Sequence, residues 1–255
     1  MSFEQSFNGK SVLITGAGKG IGRALALKLS QIGAKVFALS RTESDLQSLV
    51  NESPSIIPIS VDLQDWDATK KAVQSCGVLD VVLNVAGVGH EEPFLEITPT
   101  IFDEIININL KAVVNVSQTA AQGMIKAGRG GSIVNISSRM AHRAFKDCSI
   151  YSTSKAAVDQ LTKSMCLELG QHSIRVNSIN LGGVWTPMWA TTFTSGGSGR
   201  QNYDEYAARV VQRIPAGKPF IPMEDVVNTV LFTASDCTSM LTGANIALDG
   251  GYTVT

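Results

Sequence analysis

Ser11-Val-Leu-Ile-Thr15 followed by Gly16-Ala-Gly-Lys-Gly-Ile-Gly22 is the stretch that decides the fold of this chain. The first five residues form an apolar, branched run that predicts a buried strand. Glycines then occupy every second position, and a segment of helical period follows, in which Leu25 and Leu29 share one face and Gly33 stands at the C′ position. A strand that passes through a glycine-rich turn into a helix predicts the opening of a βαβ unit.

Strand-like and helix-like segments alternate along the rest of the chain. The predicted strands are Ser11–Thr15, Lys35–Ser40, Ile56–Val61, Asp80–Asn84, Ser132–Ser137, Ile174–Asn180 and Asn245–Leu248. The predicted helices are Ile21–Ile32, Glu43–Val50, Trp66–Ser75, Thr98–Lys126, Tyr151–Leu169 and Glu224–Ala234. Thr42 and Asp45 are predicted to cap the second of these helices.

Strict alternation of this kind predicts an α/β fold with right-handed crossovers. Strands such as Val12–Ile14 are apolar on both faces, which is typical of a parallel sheet covered on each side. We expect a doubly wound, seven-stranded parallel sheet of the Rossmann type, with an eight-unit barrel as the second candidate. No linker or repeat divides residues 1–255, so they are predicted to form a single domain. The one loop-like insertion, Leu181–Arg200, is the predicted substrate loop.

Composition excludes several classes of protein. The 255 residues include 21 lysines and arginines against 22 aspartates and glutamates, a net charge of −1. There is no basic excess to favour nucleic-acid binding, and no block of like charge forms a tail. Hydrophobic residues make up 44% of the chain, which suffices for one large core and excludes a disordered protein.

Cysteine and histidine spacing gives no sign of a metal site. The histidines lie 52 and 30 residues apart, and no CxxC pair occurs among Cys76, Cys148, Cys166 and Cys237. The cysteines are interpreted as buried free thiols in a reducing compartment. The longest uncharged run, Val176–Gly199, contains Pro187 and five glycines, so it is not expected to span a bilayer. With no apolar targeting segment near residue 1, the expectation is a cytoplasmic protein.

The glycine turn has the chemistry of a dinucleotide site, although it is not a strict GxGxxG. Glycine lets the backbone approach a pyrophosphate, and the following helix presents its N–H groups and positive dipole end to the anion. A purely structural turn is the alternative, but the strand–turn–helix context favours the dinucleotide. The predicted contacts are Gly16, Gly18, Lys19, Gly20, Ile21 and Gly22.

The end of the second predicted strand selects between NAD and NADP. An NAD site places a carboxylate about 20 residues after the glycines, where it binds the ribose 2′-OH. Here the strand ends Ser40-Arg41-Thr42, with no carboxylate before Glu43. Arg41 can contact a 2′-phosphate through two hydrogen bonds, and Lys19 adds a second cation. We therefore predict NADP(H); the alternative is that both cations are ordinary solvated residues.

Three residues form a candidate catalytic set. Tyr151 and Lys155 stand at i and i+4, so they share one face of a predicted helix. Ser138 lies just past the strand Ser132–Ser137, at the carboxyl edge of the sheet, where open α/β folds bind their ligands. An ammonium beside a phenol favours the phenolate, and a serine hydroxyl can bond a carbonyl oxygen on which negative charge develops. This chemistry suits carbonyl reduction.

On these motifs the chain is identified as a member of the short-chain dehydrogenase/reductase family, over essentially its whole length. The motifs are Thr15–Gly22, Asp62, Asn84-Val85-Ala86-Gly87, Asn109, Ser138, Tyr151-x-x-x-Lys155 and Leu181-Gly182. The resemblance implies that Tyr151 is the acid–base, that Lys155 lowers its pKa and binds the nicotinamide ribose, and that Ser138 polarises the substrate carbonyl. Asn109 would hold a proton-relay water. Further cofactor contacts implied by the family are Thr42, Asp62, Leu63, Asn84, Ala86, Gly87, Val184 and Thr186.

Two positions depart from the family pattern. Val85 replaces the second asparagine of the usual Asn-Asn-Ala-Gly, which puts a sheet contact near the cofactor in doubt. Leu181 replaces the proline of the usual Pro-Gly, which puts the hinge of the substrate loop in doubt.

Within the family the chain resembles the group of dicarbonyl/L-xylulose reductases and tetrameric carbonyl reductases. The segments are Thr15–Arg23, Ser40–Thr42, Val116–Gln118, Leu167–Gly170 and Arg213–Lys218. The resemblance implies an NADPH-dependent homotetramer that reduces small ketoses and α-dicarbonyls, such as L-xylulose to xylitol and diacetyl. One alternative is a reductase of 3-oxoacyl thioesters, which needs a basic patch for an acidic carrier. Another is a non-catalytic NADP-binding sensor, against which the intact Asn–Ser–Tyr–Lys set argues.

The substrate is set by the pocket walls, because the catalytic residues need only a carbonyl. Candidate wall residues are Arg139, His142, Cys148, Trp185 and Trp189. Trp185, Met188 and Trp189 either wall the substrate or pack between subunits. The predicted helices Thr98–Lys126 and Tyr151–Leu169 are apolar around much of their circumference, so one face is expected to cover the sheet and another a partner chain.

Overall fold

The fold is an open parallel sheet. The computed structural model describes residues 3–194 and 203–255. The strands are β1 (Ser11–Thr15), β2 (Lys35–Ser40), β3 (Ile57–Ser60), β4 (Val81–Asn84), β5 (Gly131–Ser138), β6 (Ile174–Leu181) and β7 (Asn245–Leu248). Their order is β3-β2-β1-β4-β5-β6-β7, and every pair is parallel. This order confirms the predicted doubly wound Rossmann-type fold and excludes the barrel.

Helices cover both faces of the sheet. They are α1 (Gly20–Gln31), α2 (Glu43–Glu52), α3 (Trp66–Ser75), α4 (Pro99–Ile106), α5 (Ala112–Lys126), α6 (Ser149–Leu169), α7 (Pro187–Thr194), α8 (Tyr203–Val211) and α9 (Met223–Ala234). One core cluster packs α1, α2 and α9 on the first face, and a second packs α3, α5 and α6 on the other. Side chains that point alternately to the two faces, such as Val12 and Leu13 of β1, enter different clusters. This is why the strands are apolar throughout.

The helix predicted over Thr98–Lys126 is broken. It comprises α4, a π-helical turn over Asn107–Lys111, and α5. The turn carries Asn109, which is fully buried. A π-helical turn inside a helix inserts one residue and frequently marks a functional site. The prediction of one continuous helix was therefore wrong at the position of a candidate site residue.

Several boundaries differ from the prediction. Ser138 is the last residue of β5, paired with Leu181 of β6, and does not lie past the strand. Gly33 follows α1 with φ +86°, as expected of a C′ glycine. Thr42 precedes α2 but makes no side-chain cap, and the Asp45 carboxylate is paired with Lys19. The predicted capping pair is thus wrong.

The predicted loop Leu181–Arg200 is partly helical. It contains α7, while residues 195–200 lie outside the described part of the chain. The sequence analysis missed both α7 and α8. Tyr206 of α8 packs in a third small cluster with Tyr252, Phe145, Trp189 and Phe220. This cluster stands beyond the carboxyl edge of the sheet.

The cysteines are free, and Cys76 and Cys148 are buried as predicted. Cys166 is partly exposed and Cys237 is exposed, so the interpretation of all four as buried thiols was wrong for these two residues. Over the described ranges, no helix has the length and apolar character required to cross a membrane. The same ranges contain no group of three or more His, Cys, Asp and Glu side chains able to hold a metal.

Candidate active site

The carboxyl ends of four neighbouring strands build one cleft. Thr15, Asn84, Ser138 and Leu181 are the last residues of β1, β4, β5 and β6. Between β1 and β4 the chain reverses its direction of winding, which is where open α/β sheets bind ligands. A cavity of about 610 Å³ occupies this position. Ser138, Tyr151 and Lys155 all line it.

The predicted catalytic residues meet in this cavity. The side chain of Ser138 lies near enough to the hydroxyl of Tyr151 to act on its pKa. Lys155 lies one helical turn beyond Tyr151 on α6, and its Nζ is 5.7 Å from the centre of the tyrosine ring. The ammonium donates to the carbonyl of Ile136 at 2.9 Å, which anchors it to β5. The Oγ of Ser138 accepts from the amide of Met140 at 3.1 Å, so its own proton can be donated into the cavity.

Burial dominates the electrostatics of the pair. It lowers the pKa of Lys155 to about 8, and the carboxylate of Asp159 opposes that fall. Burial also raises the pKa of Tyr151, although the nearby polar side chain of Ser138 acts in the other direction. The family resemblance implied a lowered tyrosine pKa. In this structure the direction is the opposite, because desolvation outweighs every favourable contact.

Asn109 lies behind the cavity lining, next to Gly87, and is held by three hydrogen bonds. Its Oδ1 accepts from the amide of Val88 at 2.8 Å, and its Nδ2 donates to the Val88 carbonyl at 2.9 Å and to Ser154 Oγ at 3.1 Å. Ser154 in turn donates to the carbonyl of Tyr151 at 2.7 Å. Ser154 was missed by the sequence analysis. The π-helical turn is therefore tied directly to the first turn of α6.

The glycine turn is shaped for a pyrophosphate. Gly16 has φ +67°, and a Cβ there would lie 2.8 Å from Ala86 Cα. A Cβ on Gly22 would lie 2.3 Å from the carbonyl oxygen of Gly16. No described side chain caps the first turn of α1, so its N–H groups remain available to an anion. The predicted contacts that line the cavity are Gly16, Lys19, Gly20, Ile21, Gly22, Ala86, Gly87, Tyr151, Lys155, Val184 and Thr186. These residues fit a dinucleotide.

Asn84 supports the cleft from behind. Its Nδ2 donates to Ser117 Oγ at 2.9 Å and to Asn135 Oδ1 at 2.8 Å, so the side chain points away from the cavity. Thr15, which the sequence analysis did not single out, accepts from the amides of Val85 and Ala86 at 3.0 and 3.1 Å. The threonine hydroxyl thus fixes the turn after β4, where valine replaces the family asparagine.

The remaining cofactor candidates lie outside the cavity lining. They are Gly18, Arg41, Thr42, Asp62, Leu63 and Asn84. Arg41 is exposed at the end of β2, and its guanidinium makes no hydrogen bond or ion pair to the described residues. Lys19 Nζ lies 3.1 Å from Asp45 Oδ2, so this cation already has a partner. Of the two predicted 2′-phosphate contacts, Lys19 therefore has an anionic partner among the described residues and Arg41 has none.

The predicted walls divide into two groups. Arg139, Cys148, Met188 and Trp189 line the cavity, whereas His142 and Trp185 lie outside it. Arg139 is buried, with its guanidinium carbon 4.0 Å from the ring centre of Tyr252. Two lining residues that the sequence analysis missed are His90 and Glu91. Burial, with Asp147 adding to it, raises the pKa of Glu91.

Comparison with known proteins gives a consistent picture. A family model described as short chain dehydrogenase matches residues 10–195. The chain is 46% identical to L-xylulose reductase of Homo sapiens, covering 96% of each chain. It is 43% identical to carbonyl reductase (NADPH) 2 of Sus scrofa, covering 98% of each. Among solved structures, carveol dehydrogenase of Mycobacterium avium in complex with NAD superposes with a TM-score of 0.90 at 29% identity, covering 98% of this chain and 99% of that one.

The family match spans the glycine turn, the catalytic residues and most of the sheet. The relatives match over the whole length, and both named reductases act on carbonyl groups. With the fold and cleft described above, the chain belongs to the short-chain dehydrogenase/reductase family and is a nicotinamide-dependent oxidoreductase acting on CH–OH and C=O groups.

Proposed function

We propose that the chain is an NADPH-dependent reductase of small ketoses and α-dicarbonyls, with L-xylulose and diacetyl as representative substrates and Tyr151 as the proton donor. The observation that carries the proposal is that Ser138, Tyr151 and Lys155 line the same cavity. Two hydroxyl groups on one cavity can together hold a carbonyl oxygen.

The reaction follows from the protonation states. When bound, the dinucleotide supplies the hydride. Ser138 donates a hydrogen bond to the substrate carbonyl oxygen and stabilises its developing charge. Tyr151 gives that oxygen its proton, and the raised pKa keeps the phenol protonated at neutral pH. Lys155 then stabilises the phenolate, and Asn109 is proposed to hold a relay water.

The preference for NADPH rests on Arg41. Its exposed guanidinium stands at the end of β2, where NAD enzymes place a carboxylate. A 2′-phosphate would supply the anionic partner that this cation lacks within the described ranges. Lys19 contributes once it leaves Asp45, an exchange of small cost because the lysine is largely exposed. The pig relative carries NADPH in its name, which supports the same choice.

The substrate class rests on the walls. Arg139, Glu91 and His90 offer polar contacts, and Trp189 offers aromatic surface beside them. Such a site favours a small carbonyl compound that also bears hydroxyls or a second carbonyl. A 3-oxoacyl thioester reductase is the alternative. This alternative is disfavoured because Glu91, which lines the cavity, and the nearby Asp147 would present negative charge to an acidic carrier protein.

The setting proposed for the enzyme is a cytoplasmic homotetramer. Free thiols suit a reducing compartment. The exposed apolar side chains of Leu167 and Phe102 suit helices that pack against partner copies.

A substrate panel tests the proposal. NADPH oxidation at 340 nm would be followed with L-xylulose, diacetyl, a simple monoketone, a 3-ketosteroid and a 3-oxoacyl thioester. We expect the highest kcat/KM for the first two. Turnover that is present in the wild-type enzyme and lost in Tyr151→Phe would exclude the sensor hypothesis. A thioester reduced far better than either small substrate would replace the proposed class with the alternative.

A further inference from the structure

A buried carboxylate lies one helical turn after Lys155. Asp159 and Lys155 are each 4% exposed, and their spacing places them on one face of α6. Over residues 3–194 and 203–255, no carboxylate oxygen lies within 4 Å of Lys155 Nζ, which donates to the Ile136 carbonyl. Asp159 is the carboxylate whose charge acts on the ammonium. The two residues are therefore opposite charges buried close together.

Asp159 also holds the strand end that carries Ser138. Its Oδ2 accepts from Asn180 Nδ2 at 2.6 Å. The same amide lies 3.1 Å from the Ser138 carbonyl and 3.2 Å from Ser137 Oγ. Ser137 donates to the carbonyl of Lys155 at 3.2 Å. These hydrogen bonds form a network that joins the carboxyl end of β5, its neighbour β6 and the helix that bears the catalytic pair.

Few titratable groups face Asp159. On its own helix there is Lys155, and from the turn after β5 His142 Nε2 approaches its Oδ2 at 3.4 Å. From β6 the facing groups are neutral: Asn180, and Ser178, which donates to Oδ1 at 2.9 Å and also contacts Asn245 of β7. Among these groups Lys155 is the buried one of opposite charge to the carboxylate.

We propose that Asp159 is a positioning residue for the reduction: its carboxylate balances the buried ammonium of Lys155 and, through Asn180, fixes the end of β5 that carries Ser138. The proposal rests on the catalytic roles proposed above. Its physical basis is that a buried ammonium without a compensating charge is strongly disfavoured and loses its proton. Without the carboxylate, Lys155 would deprotonate sooner and could no longer stabilise the phenolate of Tyr151.

The direction of the effect is fixed by charge. Burial already lowers the pKa of Lys155 to about 8, and Asp159 resists that fall. Asp159→Asn removes the charge at nearly constant volume, so the pKa of Lys155 falls further. Carbonyl reduction then loses rate at a lower pH. We expect the alkaline limb of the kcat/KM profile to move down by about one pH unit, the low end of the effect of a nearby opposite charge.

Two control variants separate charge from structure. Ser178→Ala deletes a hydrogen bond to Asp159 but leaves the carboxylate charged. His142→Gln removes the imidazole that approaches Asp159 Oδ2 but leaves the carboxylate in place. Both should keep the wild-type alkaline limb, even where Ser178→Ala lowers the melting temperature. Tyr151→Phe is run beside them: if it stays active, the proposed catalytic roles fail, whatever Asp159 does.

A second measurement does not depend on activity. If the two charges balance, Lys155→Met stabilises the Asp159→Asn background by more than it stabilises wild type, because there it removes an ammonium that has no compensating charge. This also covers the case in which Asp159→Asn does not fold: a double variant as stable as Lys155→Met alone supports the proposal. An unshifted alkaline limb in Asp159→Asn overturns it. So does an equal gain in stability from Lys155→Met in both backgrounds.

Discussion

Lys155→Met should make the protein more stable and inactive. The lysine is 4% exposed and its folded-state pKa is about 8, against an ordinary value of 10.5. One pKa unit corresponds to about 1.4 kcal/mol, so keeping the ammonium charged at neutral pH costs the fold about 3 kcal/mol. Methionine fills a similar volume without charge. Asp159 then loses its compensating cation, which offsets part of the gain. We expect the free energy of unfolding at pH 7 to rise by about 1–3 kcal/mol.

The pH dependence gives a sharper signature. Between pH 8 and 10.5 the unfolded chain binds the lysine proton and the folded chain does not. The contribution of Lys155 to the free energy of unfolding therefore becomes more favourable as pH rises across that window. Below pH 8 both states hold the proton, so the cost is constant. In Lys155→Met this contribution to the slope is absent.

Urea unfolding from pH 7 to 10, followed by tryptophan fluorescence at one protein concentration, measures both quantities. Lys163→Met is the matched control, because Lys163 is an exposed lysine on the same helix. It should leave the unfolding free energy and its pH slope near the wild-type values. The reasoning is refuted if Lys155→Met is less stable than wild type at pH 7, or if it keeps the wild-type slope above pH 8.

Three further outcomes are expected. Tyr151→Phe should lower kcat by about 100-fold or more with fold and cofactor binding intact, and retention of a tenth of the wild-type rate would exclude Tyr151 as the proton donor. Arg41→Asp should weaken NADPH binding by about 2 kcal/mol, measured by fluorescence titration; the control Asp45→Asn frees Lys19 and should tighten it slightly. An unchanged NADPH-to-NADH preference would contradict the assignment of Arg41. Light scattering at micromolar concentration should give a tetramer mass, and a monomer would contradict the proposed assembly.

The sheet was predictable because its signals are local. Each strand is a short apolar run that can be identified without reference to distant residues. The glycine turn after β1 predicts a βαβ unit because a helical segment follows it. Tyr151 and Lys155 were found for the same reason, since their spacing places them on one helical face. Ser138 was found from its position at the carboxyl edge of the sheet.

What the sequence did not reveal depends on contacts distant in the chain. The break at Asn109 is accompanied by hydrogen bonds to Val88 and Ser154, residues 21 and 45 positions away. Nothing in the pattern of Thr98–Lys126 encodes those partners. Asp159 was missed because its role emerges only when β5 and β6 bring Ser138 and Asn180 together.

The helix that carries the catalytic pair is docked by polar contacts more than by apolar ones. Its buried residues are Ser154, Lys155, Val158, Asp159 and Thr162, of which one alone is apolar. Thr162 accepts from Asn135 Nδ2 of β5 at 2.9 Å, and that asparagine accepts in turn from Asn84 of β4. Apolar packing tolerates small rotations and shifts of a helix, whereas hydrogen bonds at these distances do not. The part of α6 from Ser154 to Thr162 is therefore held at one rotation, which keeps Tyr151 on the cavity that Ser138 also lines.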